Sequence, residues 1–195
     1  HRLTAFSTRL TAVATMALLS ACSTPQSSAP GSGRQDVTLR FEAQINGKPF
    51  RCGERYSQVG SKAATITPTD FRFYISGIEL LDKNGKAVPL ALEQDGRWQL
   101  GNIALLDFED GSGPCRNGST ALNTTVRGSI AAGAYSGLRF TLGVPFEHNH
   151  ADPTAAPAPL NNTAMFWNWR GGYKFLKVDM ASTGASGHGG APGYS

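Results

Sequence analysis

Two histidines and two tryptophans are the residues of this sequence best suited to chemistry, and each pair is spaced by two. His148 and His150 stand in Phe146-Glu147-His148-Asn149-His150-Ala151-Asp152, and Trp167 and Trp169 in Met165-Phe166-Trp167-Asn168-Trp169-Arg170. On an extended backbone, residues i and i+2 project to the same side. Both imidazoles would then face one way, and so would both indoles. Neutral imidazole is a ligand for copper, zinc or nickel. Asp152 is placed to accept the second ring N–H of His150 and fix its tautomer. Spacing alone favours plainer alternatives: two exposed loop histidines, and two indoles packed on one sheet face. His188 lies in a Gly-rich stretch and is not expected to be a ligand.

The three cysteines have different prospects. Cys22 closes Leu19-Ser20-Ala21-Cys22, after Arg2, Arg9 and the apolar run Leu10 to Leu19. A basic start and a short apolar run form an export signal, too short to span a bilayer after processing. The small residues before Cys22 match a lipobox, so residues 1–22 are expected to be a lipoprotein signal and Cys22 the acylated residue. Multiple acyl chains give durable anchoring. Residues 23–36, rich in Ser, Pro and Gly, then read as a flexible tether. Export favours disulfides, so Cys52 and Cys115 are expected to be oxidised, either with each other or with cysteines further along a longer chain.

Net charge excludes one class of partner. The chain has 18 basic and 14 acidic residues, and the signal accounts for two of the basic ones and none of the acidic. What remains is near neutral with no Lys/Arg cluster that could track phosphates, so nucleic acid is not an expected partner. The sequence contains no Gly-x-Ser-x-Gly, no phosphate loop and no Cys-x-x-Cys-His for a c-type haem. The acidic run Asp107, Glu109, Asp110 offers calcium ligands, but a solvated turn is the simpler account.

The elements that must position these residues read as strands. Val37, Leu39, Phe41, Ala43 and Ile45 alternate with polar residues, and Asn46-Gly47 supplies a hairpin turn. Phe71, Phe73 and Ile75 share one face of a second strand. Val88, Leu90 and Leu92 alternate, as do Leu138, Phe140 and Leu142, and then Met165, Trp167 and Trp169. A further strand runs through Trp98 and Leu100, and the apolar run Ile103 to Phe108 suits a central strand. Ala151 to Leu160, with three prolines, reads as a long loop or stiff edge, and Ala181 to Ser195 as a mobile Gly-rich loop. Many short strands with Gly and Asn turns predict one all-β domain over 37–195, an antiparallel β-sandwich with Greek-key-like connections. The His start and Gly-rich close read as the ends of a piece of a longer chain.

Several blocks together resemble the MbnP family, the four-cysteine half of the "metallo-mystery pair". They are Phe50-Arg51-Cys52-Gly53, Asp70-Phe71-Arg72-Phe73-Tyr74, Leu105-Leu106-Asp107-Phe108-Glu109, Gly143-Val144-Pro145-Phe146 with Asn149-His150, and Trp167-Asn168-Trp169-Arg170-Gly171-Gly172-Tyr173-Lys174-Phe175. The resemblance covers roughly residues 37–180. It implies a copper-binding protein of the Gram-negative cell envelope, in the periplasm or at the outer membrane, concerned with copper acquisition or handling. It also implies a partner, a MauG-like di-haem enzyme related to cytochrome c peroxidase, that oxidises a tryptophan beside the metal to kynurenine. On that footing His150 is the favoured ligand and His148 the lesser candidate. Trp167 or Trp169 is the modified residue, and the chain is no enzyme itself. The family carries a further His-x-Gly-Ser-Thr-Gly-Cys segment and a fourth cysteine, neither of which is in this sequence. The competing expectation is a β-sandwich carbohydrate- or protein-binding lipoprotein without metal, its tryptophans stacking on a ligand.

Overall fold

The computed structural model describes residues 33–116 and 118–183. The expected signal segment, Cys22 and His188 lie outside the described residues. Strands follow in the order β1 (Arg34–Arg40), β2 (Gln44–Ile45), β3 (Lys48–Pro49), β4 (Tyr56–Val59), β5 (Ala64–Asp82), β6 (Ala87–Pro89), β7 (Ala91–Leu92), β8 (Gln99–Leu100), β9 (Ile103–Asp107), β10 (Thr125–Ala131) and β11 (Tyr135–Leu142). A one-turn helix α1 (Phe146–Asn149) and a 3-10 turn (Thr163–Met165) precede β12 (Phe166–Asn168), β13 (Gly172–Tyr173) and β14 (Leu176–Thr183).

The 19-residue β5 is the axis of a seven-stranded sheet. Along one side it pairs first with β14, from Thr183↔Thr65 to Leu176↔Phe73, and then with β11, from Leu142↔Ile75 to Tyr135↔Asp82. Along the other it pairs with β4, β9 and β6, and β8 lies beyond β9. A second sheet of three strands, ordered β1-β10-β7, faces it. All these pairings are antiparallel, so the fold is the expected all-β sandwich.

Two apolar clusters lie on opposite faces of the large sheet. Between the sheets, Ile75, Ile78, Leu80, Leu90, Leu92, Ala104, Leu106, Val126 and Ile130 are buried together. On the outer face, Tyr74, Ile103, Leu105, Val144, Leu160, Met165 and Tyr173 form a second cluster. This explains the apolar run Ile103 to Leu106 of β9. Its even and odd residues serve different cores, so neither phase can be polar. At Asn46 and Gly47, φ angles of 50° and 73° make the tight two-residue turn that Asn-Gly favours.

Several boundaries differ from those the sequence suggests. β1 begins at Arg34, inside the expected tether, because Arg34 to Asp36 already pair with Ala131 to Ser129. The alternation from Val37 to Ile45 is not one strand: it stops at Arg40, and Gln44–Ile45 forms a separate hairpin. Ala181 to Thr183 belong to β14, held by Thr67 to Thr65 of β5, rather than to a loop.

Candidate metal site

The histidines and tryptophans lie on one excursion of the chain, residues 143–175, that covers the outer face of the large sheet. Tyr74 of β5 closes it at both ends: its carbonyl accepts from Gly143 N (2.8 Å), and its own N–H donates to the Phe175 carbonyl (2.9 Å). Inside the excursion, Tyr74 Oη donates to the Pro159 carbonyl (2.9 Å) and Tyr173 Oη to the Leu160 carbonyl (2.6 Å). Met165 is fully buried beneath, and its carbonyl accepts from Lys174 N at 2.8 Å. The Pro-rich segment is thus pinned by two buried tyrosine hydroxyls.

The two histidines do not face one way. They sit at the end of a helical turn, Phe146–Asn149, with His150 as its last cap, and not on an extended segment. Helical residues two apart point to nearly opposite sides. His148 accordingly lines a groove of about 450 Å³ with Leu100, Ala151, Asp152, Ala155 and Leu160. His150 turns to the β12–β13 hairpin, where its Nδ1 lies 3.0 Å from the Trp169 carbonyl oxygen. A carbonyl only accepts, so Nδ1 carries the proton and Nε2 is left as the coordinating nitrogen. Asp152 does not orient this ring. Its carboxylate accepts from Thr154 N and Thr154 Oγ1, both at 2.8 Å, in the local turn that Asp-Pro-Thr forms.

The two indoles are not core residues. Trp167 is 61% exposed and Trp169 71%. Trp167 lies in β12, whereas Trp169 lies in the turn after it, so the apparent alternation from Met165 runs through three kinds of local structure. Each indole carries a cation: Lys174 Nζ is 4.5 Å from the Trp167 ring centroid and the Arg170 guanidinium 4.9 Å from that of Trp169. Phe146, the most exposed apolar side chain here, meets the His150 ring edge to face at 6.0 Å. Asn149 ties α1 to the hairpin, its Oδ1 accepting from Tyr173 N at 2.9 Å.

Farther along β5, where it pairs with β14 and on the face that Tyr74 continues, lies a second polar assembly, which the sequence patterns conceal. Cys52 and Cys115 are joined in a disulfide with Cα atoms 5.9 Å apart. Next to it Arg72 is buried, bonded to both carboxylate oxygens of Asp70, and its Nη1 lies 3.6 Å from Glu109 Oε1. Lys177 of β14 reaches Asp70 (2.6 Å) and Asp179 (3.3 Å). Asp107 and Glu109 are buried as well, so the acidic run is not a solvated turn. Burial pushes the Asp107 carboxyl up to about 7 and raises that of Glu109, against the opposing pull of Arg72. Asp70, Arg72 and Lys177 escape a sequence reading because they alternate with Phe71, Phe73 and Val178, which makes their face look like the wet one. The available signal was that Tyr74 continues the same face.

The comparisons with known proteins agree with this architecture. The family model described as MbnP matches residues 34–192. The solved structure of MbnP from Methylosinus trichosporium is similar to this chain at 34% identity and a TM-score of 0.64, covering 76% of this chain and 55% of that one. This chain therefore spans about half the length of that relative. A search of curated proteins gave no match. With the family model covering most of the chain, the protein belongs to the MbnP family.

Proposed function

We propose that this chain is a lipid-anchored copper-binding protein of the Gram-negative envelope, used in copper acquisition or handling. It is the substrate of a MauG-like di-haem enzyme, and has no turnover of its own. His150 would hold copper through Nε2, and the enzyme would convert Trp167 or Trp169 to kynurenine beside it. The observation that carries the reading is the 3.0 Å contact from His150 Nδ1 to the Trp169 carbonyl. It fixes the tautomer a metal needs and ties the ligand to the hairpin that bears both indoles. The exposure of both indoles supports attack by another protein, which a core tryptophan would not permit. Copper supplies a redox-active centre there. Kynurenine adds an aniline-like nitrogen and a carbonyl within reach of it.

The fit is that of an open site. Besides the Trp169 carbonyl, the ring nitrogens of His150 meet only Asn149 Nδ2 among the described residues, at 3.5 Å from Nε2, a contact too long to compete with a metal. His148 remains a lesser candidate because it faces the groove on the other side of α1. A carbohydrate platform is disfavoured by the two cations, since each occupies a ring face that a sugar would need.

The deciding experiment co-produces the chain with the di-haem partner. Copper should co-purify near one equivalent, and His150→Ala should lose most of it while His148→Ala retains more. Intact mass should change by the exchange of one carbon for one oxygen, located between Ala164 and Arg170. Full copper retention by His150→Ala, or unmodified Trp167 and Trp169 beside active partner, overturns the corresponding half. Sugar-dependent quenching of indole fluorescence without metal would favour the carbohydrate reading. For the anchor, Cys22→Ser should release the protein from membranes; a variant that still pellets refutes it.

A further inference from the structure

Glu109 is an unusual neighbour for a disulfide. It is 1% exposed; its Oε2 accepts from Gly111 N at 3.1 Å, and its Oε1, 3.6 Å from Arg72 Nη1, accepts no hydrogen bond among the described residues. That carboxylate belongs to a group in which Glu109 and the Cys52 and Cys115 sulfurs each offer a ligand atom, all within 4.8 Å of one another. We propose that these three residues form a second, redox-gated metal site. It is closed while the disulfide stands, and on reduction becomes a two-thiolate, one-carboxylate pocket for a thiophilic d10 cation.

The gating follows from the sulfur chemistry. A disulfide sulfur is a poor ligand, whereas thiolate is the ligand form of cysteine. A dithiol reductant transfers two electrons and two protons to the Cys52–Cys115 bond, giving two thiols, and leaves as its own disulfide. The cation then displaces the two thiol protons as it binds. Two thiolates with one carboxylate suit Cu(I), Zn(II) or Cd(II) better than calcium or magnesium.

The surroundings keep the three ligands together after reduction. Gly53 N donates to the Pro68 carbonyl of β5 (3.2 Å), holding the Cys52 side to the sheet. Cys115 N donates to the Ser112 carbonyl (2.9 Å), closing a turn that Glu109 itself anchors through Gly111. Charge also favours an added cation. Asp70, Asp107, Glu109 and Asp179 face only Arg72 and Lys177 among the described residues of this assembly. Cys52 is half-buried and Cys115 fully buried, so both the reductant and the cation would enter from the Cys52 side.

Cadmium is the probe, added to the full chain carrying His148→Ala and His150→Ala so that the imidazoles cannot contribute. The protein is reduced with a phosphine under anaerobic conditions and the phosphine removed. One equivalent should then bring up the ultraviolet thiolate-to-cadmium charge-transfer band, with two protons released, and the unreduced protein should show neither. Glu109→Gln should weaken binding by at least about tenfold with an unchanged far-ultraviolet circular dichroism spectrum, and Cys52→Ser should abolish the band. Equal affinity in Glu109→Gln, a band that survives Cys52→Ser, no band in reduced folded protein, or loss of the fold on reduction would each overturn the proposal. None of these outcomes bears on copper at His150, which the histidine variants remove from the measurement.

Discussion

Tyr74 and Tyr173 meet edge to face, with ring centroids 5.8 Å apart, directly beneath the surface that carries His150, Trp167 and Trp169. One ring comes from the axial strand β5 and the other from the β12–β13 hairpin. Their hydroxyls take the adjacent carbonyls of Pro159 and Leu160, so the pair joins sheet, hairpin and Pro-rich segment at a single point. Position in the site thus depends on buried residues that have no ligand chemistry.

Tyr74→Phe keeps the ring and removes only the hydroxyl. The Pro159 carbonyl is then left without its donor in a buried setting, at a cost of about 1–3 kcal/mol. A lower urea midpoint with an unchanged m value is expected. An unaltered midpoint would mean that water replaces the hydroxyl and that the segment is not pinned as described.

Gly172 has a φ of +74°, and a Cβ there would strike the carbonyl and side chain of Asn149. Gly172→Ala should therefore both strain the backbone and push α1 from the hairpin, costing about 1–3 kcal/mol. Loss of the Asn149–Tyr173 bond should also increase the mobility of the indoles, read as a drop in tryptophan fluorescence anisotropy. A variant as stable as the parent would show that α1 can shift freely.

The strands were legible where one face meets the core and the other meets water, as in Val37 to Leu39; β11 was legible by alternation alone, since Leu138, Phe140 and Leu142 stay exposed. β9 was legible as central because both of its faces are apolar. The lower half of β5 was not, because its more deeply buried face carries Asp70 and Arg72 and its less buried face Phe71 and Phe73. Alternation assigns the polar phase to solvent, and only a partner from a distant strand, here Lys177, reverses that. The histidine spacing misled for a local reason: Pro145 starts a single helical turn that rotates His148 away from His150. The tryptophans were legible as a pair but not as exposed, since burial of the hairpin falls to Met165 and Tyr173 instead.

Among the described residues Arg72 is the only guanidinium in contact with both Asp70 and Glu109, and its side chain is 2% exposed. Arg72→Met preserves much of the volume but strands buried carboxylates without their counter-charge, which costs about 3–5 kcal/mol. The variant should unfold at markedly lower urea, or fail to accumulate folded. Replacing Asp70, Arg72 and Glu109 together with apolar residues should cost less than Arg72→Met alone, and if it costs more, the penalty is packing and not charge.

Asp107 sets the last expectation, a pH dependence of stability. Its carboxyl, buried at the end of β9, is pushed from the ordinary 3.8 up to about 7, first by desolvation, with Glu109 and Asp70 adding to this and Arg72 opposing. A raised carboxyl means that the folded protein binds a proton more tightly than the unfolded chain does. Its contribution is therefore complete below about pH 4 and is lost as pH rises toward about 7. Glu109 is shifted in the same direction and steepens the trend. The half-buried Asp110 and the exposed Asp152 are lowered instead, held by Ser112 and Thr154, so they act only below the ordinary carboxylate range and in the opposite sense. The two windows do not overlap, which makes the test clean. Urea midpoints should fall between about pH 4 and about pH 7, and Asp107→Asn, which stays neutral throughout, should flatten most of that slope. A slope unchanged in Asp107→Asn would assign the titration to another group.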